Sequence, residues 1–328
     1  MSKIAIHTTA LSNIESDRIK CIIYLLNILK DRGHDVCAFV DSLPAQLEFK
    51  FKVYSSESVE FESFDGALIS SHVRTSRRVA VHRKASQKIY WAHGDSFKKV
   101  TVDSYKLENI HFMTTSHYVK IFLELLFKQK VLPHLVPGGV DQKVFFCDEK
   151  NHSEKQLNET CIFSMLDGQE PIRISIGLQA FDRLKRDYED RVEMRLFGDV
   201  TQSEMYKAYG SSHFFVDPSL LAGLPLSPLE AMACGTIPIV THFGTTDYII
   251  DKQNGFFINA NDVDDTYRIM KECTEMYFSS LDIKKQHKYE NTRYGMISCV
   301  ACLHANNWTW DRMADNFLKN LEEIEKRT

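Results

Sequence analysis

Glu230 stands in a stretch whose residue types fit the binding of an anion. From Phe214 to Asp262 the chain reads FFVDPSLLAGLPLSPLEAMACGTIPIVTHFGTTDYIIDKQNGFFINAND. The apolar run Phe214 to Val216 ends in Asp217-Pro218, as a buried strand leaving a sheet does. A Gly/Pro/Ser-rich segment, 222–228, follows and leads into a helix start. Ser227 reads as its N-cap, Pro228 suits the first helical position, and Glu230 completes an S-x-x-E capping box. Gly235 stops the helix, Thr236 to Val240 reads as a second buried strand, and Gly244 lies in the loop beyond it. Strand, glycine-rich loop and helix N-terminus aim N–H groups at a point where a phosphate can sit. A capped helix in a parallel sheet, with no ligand, is the other reading of the same residues. Two histidines, His93 in Trp91-Ala-His-Gly-Asp95 and His72 in Ser70-Ser-His-Val73, each follow an apolar strand. Strand carboxyl ends are where α/β folds gather ligand sites, although a lone histidine also serves simply as a structural residue.

These groups are positioned by a chain of 328 residues, long enough for about two domains. Its 44% hydrophobic and 26% charged content is that of an ordinary globular protein, and its net charge of −4 names no partner. No apolar run approaches 18 residues and MSKIAIHTTA lacks a signal-peptide pattern, so a cytoplasmic protein is expected. The eight cysteines read as buried free thiols of a reducing compartment. Cys299-x-x-Cys302 with His304 nearby reads either as a helix face or as part of a metal site, and no second CxxC or HxxxH accompanies it.

Lys3 to Thr8, the helical pattern Ile19 to Leu29 and Val36 to Val40 form a βαβ unit, the opening of a doubly wound parallel sheet. Further strands are expected at Gly66 to Ser70, Lys88 to Ala92, Ile110 to Thr115 and Leu132 to Val136, with helices at Ser76 to Ser86 and Tyr118 to Phe127. The division assigns residues 1–145 to a first domain and 146–307 to a second, with a polar linker over 147–160. The second domain opens with a strand at Cys161 to Met165. A helix near Ile174 to Lys185, a strand at Glu193 to Phe197 and a helix at Glu204 to Tyr209 come next, and residues 308–328 form a closing amphipathic helix.

The sequence G-L-P-L-x-x-L-E-A-M-A-C-G-T-x-P-I-V, then a glycine, then D-x-x-N-G-F-F-I-x-x-x-D, resembles the donor-binding signature of retaining glycosyltransferases of family four. Pro137-Gly-Gly-Val-Asp141 and the Arg32-Gly-His-Asp-Val36 turn are similar to the same points of that family. The resemblance implies an α/β protein of GT-B fold, two Rossmann-like parallel-sheet domains facing a cleft, with residues 308–328 crossing back to the first. It also implies transfer of a sugar from a UDP- or GDP-linked donor to an acceptor hydroxyl with retention of configuration, and no other cofactor. In the family's E-x7-E motif the second glutamate, here Glu230, binds ribose hydroxyls, while the first falls on Ala222, a departure. Ser227, Leu226, Gly223, Pro225 and Gly244 fall at the donor. His93 matches a histidine that faces the donor sugar, and His72 is a weaker analogue. The family's glycine pair before the first helix aligns with Ser16 and Asp17, and its G-R-x-x-x-K-G loop with Met165 to Arg173. Arg173 is there the one basic residue available to meet the leaving phosphate. No metal is expected, since no metal-bridging carboxylate pair stands in the motif. Where the protein mainly orients reactants and stabilises charge, no dedicated base is required.

On the acceptor side, Arg74, Arg77, Arg78, Arg83, Lys84, Lys88, Lys98, Lys99 and Lys106 face only Asp95 and Asp103, so this segment carries +7. An anionic acceptor is one reading, as phosphorylated glycan, anionic lipid surface or DNA, and a solvated helix face is the other. Tyr118 to Leu132 serves core packing or a peripheral membrane contact. The runs Ala233 to Ile239 and Asn261 to Ile269 also resemble phage enzymes that glycosylate DNA bases. The departures at Ala222, Ser16-Asp17 and the Arg173 loop keep a non-catalytic sugar-nucleotide or glycan-binding relative open as well.

Overall fold

The computed structural model describes residues 2–12, 16–44, 48–94, 99–147, 159–167, 171–198, 200–219, 223–284 and 289–327. Two compact units divide the chain, one of residues 1–139 with 309–328 and one of residues 140–308.

The first unit contains β1 (Lys3–Thr8), α1 (Asp17–Asp31), β2 (Asp35–Val40), β3 (Lys52–Ser55), α2 (Val59–Ser63) and β4 (Ala67–Ser70). It continues with α3 (Val73–Ala80), β5 (Gln87–Ala92), α4 (Lys99–Tyr105), β6 (His111–Thr114) and α5 (His117–Leu126). Its strands pair in parallel in the order β3-β2-β1-β4-β5-β6. The central strands are near-continuous apolar runs because both faces are covered. One face packs Phe39, Phe61, Leu68 and Val79 together, and Tyr90, Tyr105, Phe112 and Leu123 beside them.

The second unit contains β7 (Cys161–Leu166), α6 (Pro171–Tyr188), β8 (Val192–Phe197), α7 (Gln202–Gly210) and β9 (Phe214–Asp217). There follow α8 (Ser227–Ala233), β10 (Ile237–Thr241), β11 (Phe256–Ile258), α9 (Val263–Lys284) and α10 (Arg293–Ala305). Its five strands are parallel in the order β11-β10-β9-β7-β8. The core joins Phe163, Phe214, Ile239, Phe256, Met270, Tyr277 and Tyr294. The chain turns to opposite sides after β7, which makes the β7–β9 pair the switch point where ligands of open α/β sheets gather.

The last helix, α11 (Trp310–Glu325), belongs to the first unit. Trp310 stacks on Tyr24 of α1 at 4.3 Å, and Arg32 reaches Asp311 at 2.8 Å and Asp315 at 2.7 Å. Gly139 fits only without a side chain, since a Cβ there would lie 2.5 Å from the Trp310 amide nitrogen.

Several expected elements differ. Leu132 to Val136 is not a strand. Its amides at Leu132 and Val136 donate to Phe112 and Thr114 of β6 at 2.8 Å, but Pro133 has no N–H and only Val131 forms a bridge. The helix expected over 76–86 spans Val73–Ala80, because His72 caps it three residues earlier, its Nδ1 accepting from the Arg74 amide at 3.2 Å. On α5, Val119 and Leu123 are buried while Ile121, Leu125 and Leu126 are exposed, so the helix packs through only one side. Among the described residues no helix is long and apolar enough to cross a membrane. Cys21, Cys161, Cys234 and Cys273 are buried, but Cys37, Cys147, Cys299 and Cys302 keep some exposure. Most of the linker expected over 147–160 lies outside the described residues.

Candidate functional site

In the second unit, β9 is wholly buried and ends on Asp217, whose carboxylate accepts from the Ser219 amide at 3.1 Å and from the Ser219 hydroxyl. The loop then runs to α8, where the capping box expected of Ser227 and Glu230 does not form. Leu226 already has helical dihedrals (φ −84°, ψ −30°) and takes the N-cap position, so Ser227 sits in the first turn. It lacks the extended geometry from which a serine reaches the third amide. Glu230 is 3% exposed, in the first turn and a half of the helix. With seven residues, α8 has a short dipole. The helix closes as a Schellman turn. Gly235, at φ +71°, donates to Met232 at 2.9 Å and Thr236 donates to Ala231 at 3.0 Å.

Side chains from the β10 side pin this loop through its carbonyls. Tyr248, 1% exposed, donates its hydroxyl to the Pro225 carbonyl at 2.8 Å. Thr241 donates to the Ser219 carbonyl and Thr245 to that of Thr241. Asn254 closes the segment behind them, accepting from the Ile250 amide at 2.6 Å and donating to the Tyr248 carbonyl at 2.9 Å. Of the donor residues expected from sequence, Gly223, Pro225, Leu226, Glu230 and Gly244 are buried and Ser227 is half-buried. Ala222 and the Arg173 side chain lie outside the described residues. Sequence reading missed Tyr248 and Thr241, whose task is to hold a carbonyl, for which no spacing pattern exists.

In the first unit, the carboxyl edge of the sheet brings together His72 after β4, His93 after β5 and Arg18 in the first turn of α1. The His93 ring packs on Trp91 at 4.4 Å. Its Nε2 has no exposed surface and no hydrogen-bond partner among the described residues. Burial, then the Arg18 charge and then His72 push its pKa down to about 3. Burial, then Arg18 and Arg74 lower His72 to about 4. Both rings are neutral near pH 7, so His93 can donate or accept a hydrogen bond there but holds no proton to deliver as an imidazolium. Arg18 was missed beside the two residues singled out by spacing. Ser16 is the N-cap of α1 without a side-chain cap bond, and Asp17 lies in its first turn. A second cluster was also missed at this edge. The Asp41 carboxylate meets His7 Nε2 at 3.1 Å and accepts from the Ser56 hydroxyl at 2.8 Å, and Arg78 donates to the Ser56 carbonyl at 2.6 Å.

The basic segment divides. Arg78 is turned inward over the Phe61 ring, 4.7 Å from its centroid, and Lys88 donates to the Ala80 carbonyl at 3.1 Å. Arg83 and Lys84 are exposed, Lys98 lies outside the described residues and so does the Lys99 side chain. Arg74 and Arg77 share the wall of a cavity. Among the described residues no group of three or more His, Cys, Asp or Glu side chains could hold a metal ion. The Cys299–Cys302 pair lies on α10, with the Cys302 thiol directed to the Ala233 carbonyl.

Residues 176–293 match the family model of glycosyl transferases group 1. The matched span contains β8 to β11, the loop 217–226 and Glu230. A serotype-specific mannosyltransferase, WbdA of Escherichia coli, is 32% identical over 98 residues, which is 30% of this chain and 12% of that protein. The chain thus spans a small part of that relative's length. Two solved structures extend the likeness to both units. Sucrose-phosphate synthase of Thermosynechococcus elongatus aligns over 100% of both chains with a TM-score of 0.72 at 13% identity. HepE of Anabaena, in complex with UDP and glucose, aligns over 98% of this chain and 100% of its own, with a TM-score of 0.72 at 13% identity. The fold is GT-B. At such identity the likeness concerns the fold alone, and function is argued from the site.

Proposed function

We propose that this chain is a retaining glycosyltransferase, moving a sugar from a nucleotide-sugar to an acceptor hydroxyl on a glycan or glycolipid. The observation that carries the reading is Glu230. It is a carboxylate 3% exposed at the switch-point side of the second sheet, within the matched span. In this reading Glu230 accepts from the ribose hydroxyls, and backbone amides at the start of α8, beside the held Pro225 carbonyl, receive the pyrophosphate. Arg173 is the cation proposed for the leaving phosphate. The neutral His93 hydrogen-bonds the substrate at the edge of the first sheet. The bond from the sugar's anomeric carbon to the phosphate oxygen breaks, and the acceptor oxygen bonds to that carbon on the same face. The acceptor's proton passes to the departing phosphate, so no dedicated base is needed. The complex of HepE with UDP and glucose makes UDP the first nucleotide to test.

Sugar release from a UDP-sugar, followed with and without added glycan acceptors, tests the reading. Release that rises with one acceptor and yields a product of retained configuration is the expected result. Nucleotide binding with no release under any acceptor would instead identify a non-catalytic sugar-nucleotide binder.

A further inference from the structure

Among the described cations that sequence reading grouped as one basic segment, some are engaged with carbonyls, and two others line a common cavity. Arg78 and Lys88 are engaged with carbonyls. Arg74 and Arg77, one turn apart on α3, are both exposed and make no side-chain hydrogen bond or ion pair with another described residue. They line a cavity of about 590 Å³ with Val73, Asp103, Ser104 and Leu107. That volume is in the range of small-molecule sites, which lie near 300–1,000 Å³. Its two walls are fixed to each other, because Ser104 of α4 donates to the Val73 carbonyl at 2.9 Å and Ser76 of α3 donates to Ser104 at 3.0 Å. The cavity flanks the first turns of α3, next to His72 at the carboxyl edge of the sheet.

We infer that this cavity binds the phosphomonoester group of an acceptor. Two adjacent guanidiniums offer parallel N–H pairs and two positive charges, which match the dianionic, three-oxygen face of a phosphomonoester better than a monoanionic carboxylate. The opposite wall presents Asp103, which repels a second phosphate and accepts from hydroxyls. The pair of walls therefore fits a molecule with a phosphate at one end and sugar or glycerol hydroxyls at the other. An extended polyanion such as DNA is a poorer fit, because Asp103 interrupts the positive lining and Arg78 and Lys88 are engaged with carbonyls. This inference rests on the transferase reading, which makes the first unit's ligand an acceptor.

The test is calorimetric titration of the full chain with glycerol 3-phosphate, and flotation with vesicles containing phosphatidic acid, for the native protein and for Arg74→Gln/Arg77→Gln. UDP binding and the thermal midpoint are measured alongside. The expected result is binding of at least one phosphate probe that weakens ten-fold or more in the double variant, with UDP binding and midpoint unchanged. Binding of glycerol 3-phosphate points to a soluble or glycan-borne phosphate, and binding of the vesicles alone to a lipid-borne one. Equal binding by native and variant protein, or no binding of either probe at millimolar concentration, overturns the inference. If the native chain still releases sugar from one of the UDP-, GDP-, ADP- or dTDP-sugars in that case, the inference has failed and the transferase reading stands. If the phosphate probe binds as expected and no nucleotide-sugar is bound or cleaved, the transferase reading has failed instead.

Discussion

Between β9 and α8 of the second unit, hydroxyls and an amide are tied to backbone carbonyls, and the buried carboxylates of Asp217 and Glu230 stand beside them. At the carboxyl edge of the first unit, His7, His72, His93, Arg18 and Arg78 are set against one another and against Asp41. Hydroxyl-to-carbonyl bonds do not change with pH near neutrality, whereas rings held neutral by burial do. One region is thus built to hold a backbone still, and the other to hold histidine rings uncharged beside arginines. On the proposed reading, nucleotide affinity rests on the second unit, and acid sensitivity and the His93 contribution to turnover rest on the first.

Substitutions in the two regions should separate these properties. The largest effect is expected for His93→Ala, which removes one positioned donor. It should lower kcat by about 10²-fold while nucleotide affinity, read by calorimetry, stays unchanged. Parallel loss of affinity would erase the contrast between the units. Glu230→Ala should act the other way, weakening nucleotide binding about ten-fold or more, since a hydrogen bond to a charged group is worth ~1.5–3 kcal/mol. Tyr248→Phe leaves the Pro225 carbonyl without its hydroxyl donor and should cost about 1 kcal/mol in chemical denaturation. A smaller drop in nucleotide affinity should accompany it, and an unchanged denaturation midpoint would show that the loop is held by other contacts.

The last effect concerns pH. His93 and His72 fall from an ordinary value of 6.5 to about 3 and about 4 in the folded chain. The unfolded chain therefore binds more protons below pH 6.5. Their contribution to stability is complete above that value and is lost as pH falls toward 4 and 3. The thermal midpoint should drop between about pH 7.5 and about pH 5 and drop less in His93→Asn. An equal slope in native and variant protein would place the acid sensitivity elsewhere.

The second unit's strand, loop and helix were readable in sequence because they are local. Strand, loop, helix and next strand occur within fifty residues, and Gly235 has a positive φ that marks the helix end. The helix start was misread by one position because Leu226, an apolar residue with no capping signal, adopts helical dihedrals. At the first unit's edge only His72 and His93 were legible, each from the strand before it. His7, Asp41, Ser56 and Arg78 come from four places along the chain, and only strand order brings them together. Lys52–Ser55 and Val59–Ser63 were missed for a related reason, since four or five residues are too few to establish a period. Leu132 to Val136 misled in the opposite sense. Its apolar run resembles a strand, but Pro133 removes a donor that a ladder requires.

The most direct measurement is calorimetric titration of the native chain and of Glu230→Ala with UDP-, GDP-, ADP- and dTDP-sugars, followed by assay of sugar release from whichever binds. The account predicts micromolar binding of one donor by the native chain, slow release of its sugar, and at least ten-fold weaker binding by the variant. No binding at millimolar concentration, or equal binding by both proteins, would contradict it.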